Sequence, residues 1–446
     1  MLPTIEAAMH LAEAGKHDEA WPIVLEELGK DPDDPHALTL ASFILERDGR
    51  SALALPLARR LTEKYSKTAT GWINYGRCLD NLWRMDEALK AYDAGWKCAN
   101  THEDKLALLA NIGAVHLQLG EFVKARQYAE RALKLDPEHR KSQHNLGLCQ
   151  MAAHEWRAGW INYRGSLGSK HRLDWRYGEE PEWDGSPGKT VAICGEQGIG
   201  DEICAASMFD EACDISKKVI IDCDIRLANL FRRSFRNARV YGTRHKKELD
   251  WHKDDCEVDA SISSFQLGQF FRNETKDFPR APYLIADPER VLMWQALWAA
   301  KGKPSIGIAW SGGLKETGAH VRRWTLEELL PVFRSVDAHW VCLQYKNAQP
   351  EISEFRRKHP EIELVQYPYA TLGRDYDDTA ALVASLDSVV GVPTSVVHLS
   401  GALGIKTVVS KSRFSCWKFA AGCPFQPLTL VPWDTEAMAD QLKAWH

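Results

Sequence analysis

Three glycines at 195, 198 and 200 follow the apolar run Thr190–Cys194 and hold Glu196, Gln197, Asp201 and Glu202 between and after them. Glycine lets the backbone turn tightly and come close to a ligand, and the helix start expected at Asp201 offers unsatisfied N–H groups to an anion. A carboxylate aimed from such a turn at a bound hydroxyl is a general-base arrangement, and Asp201 is the best placed. The alternative is that Asp201 only caps its helix, with Glu196 or Glu202 able to take the basic role. Gly198, Gly200 and Glu202 belong to the same loop. The spacing does not fit G-x-G-x-x-G, and no Lys-Ser/Thr pair follows as a phosphate-cradling loop requires.

Four further motifs carry polar groups at the ends of expected strands. Ile308-Ala309-Trp310-Ser311-Gly312-Gly313 precedes Lys315, His320, Arg322, Arg323 and Trp324, and Trp340–Asn347 ends in Gln344, Tyr345 and Lys346. Asp375–Leu382 opens a helix with capping acids, and Val389–Gly404 enters a helix at Thr394-Ser395 with His398 one turn on. C-terminal strand ends of one sheet share a rim, so the four should converge and offer N–H groups, hydroxyls, an imidazole and cations, the set a diphosphate needs. Bland readings stand beside each: His398 as a core histidine, the Arg322 segment as a solvated loop, Asp377 as a cap. Arg232-Arg233-Ser234-Phe235-Arg236 and Arg322-Arg323 suit a phosphate as well as a polymer. Asp222-Cys223-Asp224 mimics a metal-binding Asp-x-Asp, but its place at a first-lobe strand end argues against that, and no metal is expected.

The positioning elements are legible as periodicities. From Lys189 onward short β-branched runs alternate with helical stretches: Thr190–Cys194, Lys218–Asp222, Arg239–Val240 and Ala260–Ile262, then Ser305–Trp310, His339–Gln344, Glu363–Gln366, Ser388–Val392 and Thr407–Ser410. Two α/β lobes, 189–285 and 286–446, imply a cleft between them. Ahead of them, small residues recur at Ala8, Ser42, Gly76, Gly113 and Gly147, and again at Ala20, Ala54, Ala88, Ala125 and Gly159, both series in steps of 34, 34, 37 and 34. Two series with one period predict stacked helical hairpins over 1–165, with a longer loop at the insertion near Asn100-Thr101-His102. Residues 166–188 are a linker whose Trp175 and Trp183 pin it to both neighbours. The array either presents a groove to a peptide or partner, or braces the second domain; Asn74, Asn111 and Asn145 occupy comparable places for a short asparagine ladder.

Length and composition bound the function. The 446 residues suit two or three domains, and a formal net charge of −5 gives no bulk attraction to nucleic acid. The N-terminus lacks a basic region followed by an apolar core, and no 18-residue uncharged apolar run occurs, so neither a secretory leader nor a membrane span is expected. Eleven cysteines without a C-x-x-C read as reduced, mostly buried thiols of a cytoplasmic protein.

The repeats Trp72–Tyr92 and Asn111–Pro137 resemble tetratricopeptide repeats. The motifs Gly195–Glu202, Trp310–Gly313, Leu343–Lys346, Asp377–Leu382 and Thr394–Gly404, with Trp183-Asp184-Gly185 and Arg226–Phe235, resemble the heptosyltransferase-like glycosyltransferases fused to such repeats. More distantly the chain is similar to the O-linked N-acetylglucosamine transferases. The resemblance implies an α-solenoid followed by a GT-B fold of two Rossmann-like lobes. It implies a metal-independent glycosyltransferase with no cofactor, using a nucleotide-diphosphate sugar donor and a protein, glycan or modified nucleic acid acceptor. By motif, Asp201 matches the family's general base, and Arg322 the phosphate-contacting lysine. Thr394, Ser395 and His398 match the segment that binds the donor's diphosphate and sugar, and Gln344 and Lys346 echo the donor site of the N-acetylglucosamine enzymes. Trp310, Ser311 and Gly312 complete the donor side. Pro393 stands where heptosyltransferases carry an Asp on the donor sugar, so heptose is not implied. The rival reading is a repeat scaffold with a degenerate, nucleotide-binding or inactive transferase domain.

Overall fold

The computed structural model describes residues 4–169, 172, 180–246, 248–253, 257–313, 318–373, 375–412, 414, 416–420 and 422–446. Trp175 and Lys315 lie outside them. The chain divides into two compact units, Met1–Cys149 and Gln150–His446. The division falls before the helix Trp156–Tyr163, which belongs to the second unit, although the repeat period extends to Gly159.

In the first unit antiparallel helices alternate: Ile5–Glu13, His17–Lys30, Pro35–Arg47, Ser51–Lys64, Ala69–Asn81, Met85–Cys98, His102–Gln118 and Phe122–Leu135, with Arg140–Ala152 beginning the next. All ten periodic small residues are buried. Their role is to let helix surfaces close: at Gly76 an added Cβ would enter the ring of Tyr92, which is itself fully buried. The insertion near Asn100 does not lengthen a loop. Thr101 caps the next helix through the Asp104 N–H (3.1 Å), and His102–Gln118 runs 17 residues where its counterparts Pro35–Arg47 and Ala69–Asn81 run 13. The cap, the acids Glu103 and Asp104 and the following Leu/Ala stretch all favour helix, so the extra residues were absorbed there.

The asparagines are turned to internal use. Asn74 donates to Thr39 O (3.2 Å) and Ser42 Oγ (3.1 Å), and Asn145 donates to Ala110 O (3.2 Å), each reaching back one repeat. Asn111 Oδ1 accepts from Lys141 Nζ (2.7 Å). They staple repeats together rather than standing as a ladder open to a peptide.

The second unit holds two sheets of parallel strands. Strands β1 (Thr190–Cys194), β2 (Lys218–Asp222), β3 (Ala238–Tyr241) and β4 (Ala260–Ser263) lie in the order β3-β2-β1-β4. Strands β5 (Ser305–Ala309), β6 (His339–Cys342), β7 (Leu364–Gln366), β8 (Ser388–Gly391), β9 (Thr407–Ser410) and β10 (Thr429–Val431) lie in the order β10-β9-β8-β5-β6-β7. Nine of these strands coincide with the β-branched runs of the sequence, and β10 falls outside them. β1 and β5 are central and fully buried, which explains their unbroken apolar runs. The linker's Trp183 adds to the first sheet: its N–H donates to Ser261 O (2.9 Å) and its indole packs on Phe270 and Phe271.

Candidate functional site

The register places Cys194 beside Asp222 and Ser263, so the glycine turn leaves the first sheet from the middle of its C-terminal edge. Gln197 within it has φ 59°, a left-handed conformation that a non-glycine residue holds only when its surroundings fix it. They do: Gln197 Nε2 donates to the Tyr163 hydroxyl (2.6 Å) and its carbonyl accepts from Arg244 (2.7 Å). The turn feeds the helix Ile199–Ala206. In the second sheet β8 feeds the helix Ser395–Ala402, and the two helix N-termini meet. Gly200 is the point of contact, since a Cβ there would lie 3.1 Å from Ser395 Cα and 3.4 Å from His398 Cδ2.

A row of contacts, some polar and some close-packed, runs across the strand ends. Gln344 Nε2 donates to Ser311 Oγ at the ends of β6 and β5. Gly312 lies directly against the Thr394 methyl, leaving no room for a side chain. Thr394 precedes the helix at its N-cap without capping it, and its buried Oγ1 has no hydrogen-bond partner among the described residues. Ser395 Oγ accepts from the Tyr376 hydroxyl (3.1 Å). Beyond Gly200 comes Asp201, whose Oδ2 accepts from the Gly198 N–H (3.2 Å) while its Oδ1 pairs with Lys418. Asp201 therefore does cap its helix, and one oxygen also meets a cation. Burial pushes its carboxyl up, but Lys418 outweighs that and holds it below the usual carboxylate range.

His398 is buried, with Nδ1 3.1 Å from Gln426 Oε1 and 3.2 Å from Cys204 Sγ. Gln426 Nε2 donates to the Tyr283 hydroxyl (2.6 Å), so Oε1 is the acceptor and fixes the proton on Nδ1, leaving Nε2 as the ring's acceptor. Burial, then Lys418, drives the imidazole pKa from 6.5 to about 4.

Other expected site residues are used elsewhere. Trp310 is a core residue: it is buried among Trp340, Leu326 and Phe333 and donates to Glu351 (3.3 Å), because an indole one residue past a buried strand follows the apolar layer inward. Glu202 turns into its lobe, accepting from the Asp224 N–H (3.0 Å) and pairing with Arg244 (3.0 Å). Burial raises its pKa to about 8 against Arg244's pull. Glu196 is likewise enclosed, bonded to Arg172 (2.9 Å), Ser263 and the Phe265 N–H (3.0 Å). Of the three acids only Asp201 faces the rim. Lys346 is exposed over the Tyr345 ring (5.3 Å), and Gln366 fixes its loop by donating to Gln344 O (3.0 Å) and Lys346 O (2.9 Å). Arg322 is half-buried toward Cys416.

Two arginines of the basic run at Arg232 bond within the protein: Arg233 grips Asp377 with two bonds (2.6 and 2.7 Å), and Arg232 donates to Val240 O and Asn229, while Arg236 is exposed. Asp377 thus joins elements of the two sheets, and Asp375 is the helix cap. Asp222 accepts from Thr243 and Trp251, and Asp224 from Arg226, so the Asp-x-Asp oxygens serve the fold. Sequence reasoning missed Lys418, which lies 217 positions from Asp201 in an irregular segment with no motif. It also missed Arg172, Tyr376 and Gln426.

Residues 44–99 and 107–139 match the tetratricopeptide repeat family. The first unit is a tetratricopeptide-repeat solenoid. Such arrays are protein-interaction scaffolds. In an alignment of 406 positions the chain is 26% identical to protein FlbA of Caulobacter vibrioides; the match covers 84% of this chain and 65% of that protein, so the chain spans less than two thirds of that relative's length. Among solved structures it is similar to PilF of Pseudomonas aeruginosa (20% identity, 36% of this chain and 72% of that one, TM-score 0.33). It is also similar to TTC0263 of Thermus thermophilus (18% identity, 37% and 89%, TM-score 0.33). YrrB, described as a repeat protein with an unusual peptide-binding site, matches at 15% identity (33% and 74%, TM-score 0.27). Among the described residues no helix is long and apolar enough to cross a membrane.

Proposed function

We propose that the second unit is a metal-independent glycosyltransferase of the GT-B type, moving a sugar from a nucleotide-diphosphate donor to an acceptor hydroxyl. The observation that carries this is the meeting of the Ser395–Ala402 helix N-terminus, with a Thr394 Oγ1 that has no partner among the described residues, and Asp201 across the Gly200 contact. The helix end, Thr394, Ser395, Ser311 and Gln344 hold the diphosphate and oppose the charge that grows on the leaving group, aided by Arg322 and Lys346. Neutral His398, with Nε2 as acceptor, takes a hydroxyl of the donor sugar rather than a phosphate oxygen. Asp201 accepts the acceptor's proton from the other side. The repeat unit selects a macromolecular acceptor in the cytoplasm.

A panel of nucleotide sugars incubated with the full chain and followed by mass spectrometry should show transfer or slow donor hydrolysis that survives a chelator. Removing residues 1–149 should abolish transfer to a macromolecular acceptor and spare donor hydrolysis. The second reading, a scaffold whose transferase unit binds nucleotide without turnover, is favoured by the ion pair on Asp201. Tight nucleoside-diphosphate binding with no turnover across the panel would select it.

A further inference from the structure

Lys418 reaches Asp201 from a stretch of irregular chain, yet its backbone is firmly held. It sits in the single turn Trp417–Phe419. Trp417 packs on Trp160 (6.2 Å), Trp156 (6.5 Å) and Phe425 (5.9 Å), and Phe419 packs on the His398 ring (5.2 Å). The anchors on either side leave the four-carbon side chain as the movable part. Its ammonium is 5.4 Å from the Phe265 ring centroid, and its charge is felt by both Asp201 and His398. It therefore lies beside the carboxylate and near the helix whose N-terminus the proposed function assigns to the diphosphate. The residue is 7% exposed, so a second anion brought to that helix end competes for a cation that water does not screen.

We propose that Lys418 is a shared counter-ion: with the site empty it holds Asp201, and a bound diphosphate draws it away, releasing Asp201 to act as base. This rests on the reading of the strand-end rim as a nucleoside-diphosphate site. In the reaction the acceptor oxygen bonds to the anomeric carbon and its proton goes to the Asp201 carboxylate. The bond from that carbon to the diphosphate oxygen breaks, and the electron pair leaves on the phosphate, where Lys418 now stands. One cation thus serves two anions in turn, and the base gains strength only when a donor is present. The groups facing Asp201 are Lys418 from the C-terminal segment, His398 from the Ser395 helix and the Gly198 N–H from its own turn, with Cys204, Tyr163 and Arg172 within electrostatic reach. Of these Lys418 is the large stabilising influence on the carboxylate, so its departure raises the basicity of Asp201.

The test is calorimetric titration of the full chain with uridine, guanosine, cytidine, adenosine and thymidine diphosphates, in buffers of differing ionisation enthalpy so that proton uptake is counted. Asp201→Asn frees Lys418 and should tighten the best-bound diphosphate about tenfold, while Lys418→Met weakens it by a similar factor. In the Lys418→Met background Asp201→Asn should have little effect on affinity, and Lys418→Arg should restore most of it. The wild type should take up protons on binding in acidic buffer, and both Asp201→Asn and Lys418→Met should lose that uptake. Unchanged or weakened binding in Asp201→Asn, or additive effects in the double variant, would overturn the shared counter-ion while leaving the nucleotide site standing. No binding of any of the five diphosphates by the wild type would remove the site itself and the proposal with it.

Discussion

His398 shows how one buried side chain ties stability to pH. An unfolded chain binds a proton on this ring near pH 6.5 and the folded one near pH 4, so between those values the unfolded state holds more protons. Its contribution is complete above pH 6.5 and is lost as pH falls toward 4. Replacing His398 with Gln should therefore destabilise less at low pH. The gap between wild-type and variant unfolding free energies should close by about 1.4 kcal/mol per pH unit across that window in urea titrations. Parallel pH profiles would show that the imidazole is not the titrating group. At the same site Asp201→Asn keeps the shape and the bond from the Gly198 N–H but removes the basicity, and turnover should fall by about 10² or more. An unchanged turnover number would end the general-base role, since Glu196 and Glu202 are both turned inward onto cations.

At the scale of elements, the repeats depend on close approach and on side chains that reach one repeat back. Asn74→Ala and Asn145→Ala should each destabilise the first unit by about 1 kcal/mol, measured by thermal unfolding of the helical signal. Tyr92 gives the opposite case. Its ring fills the space left by Gly76, but its buried hydroxyl has no partner among the described residues. Tyr92→Phe should be neutral or stabilising by about 1 kcal/mol, whereas Gly76→Ala should be clearly destabilising because the ring has nowhere to go. A destabilised Tyr92→Phe would mean the hydroxyl is satisfied in solution. At the meeting of the two helix N-termini, Gly200→Ala should weaken nucleotide binding and turnover together, since its methyl pushes on the Ser395 backbone.

For the whole molecule, the repeat rhythm runs past the structural division. Trp160 is wholly buried, donates to Arg272 O (2.8 Å) and lies against Gly268, while Trp156 donates to Thr275 (2.9 Å). Arg172 adds a buried bond network to Glu196, Tyr163 O and Ser263. A fragment starting at Gln150 should unfold cooperatively. One starting at Ser166 loses both indoles, at about 3–5 kcal/mol each for a buried Trp, and should be unfolded or molten by near-UV dichroism. Equal stability of the two fragments would restore the boundary that the repeat period suggests.

The periodic small residues and the β-branched runs are local signals, and they suffice for the helical hairpins and for nine of the ten strands among the described residues. Each such residue faces the same physical demand wherever the chain goes: close packing in the hairpins, burial on both faces in β1 and β5. The glycine turn and the Thr394-Ser395 helix start were legible for the same reason, since backbone geometry at a strand end is set by a few neighbouring residues. Side-chain direction was not legible. Nothing local distinguishes Asp201 on the rim from Glu202 in the interior, yet one residue along a helix rotates a side chain by about 100° and here separates Lys418 from Arg244. The resemblance puts Trp310 on the donor side, and the core takes it because an indole gains more by burial. Pairing across 217 residues, as between Asp201 and Lys418, is decided only when the whole second unit has folded. Until that contact forms, the sequence specifies an acid and a lysine but not their shared field.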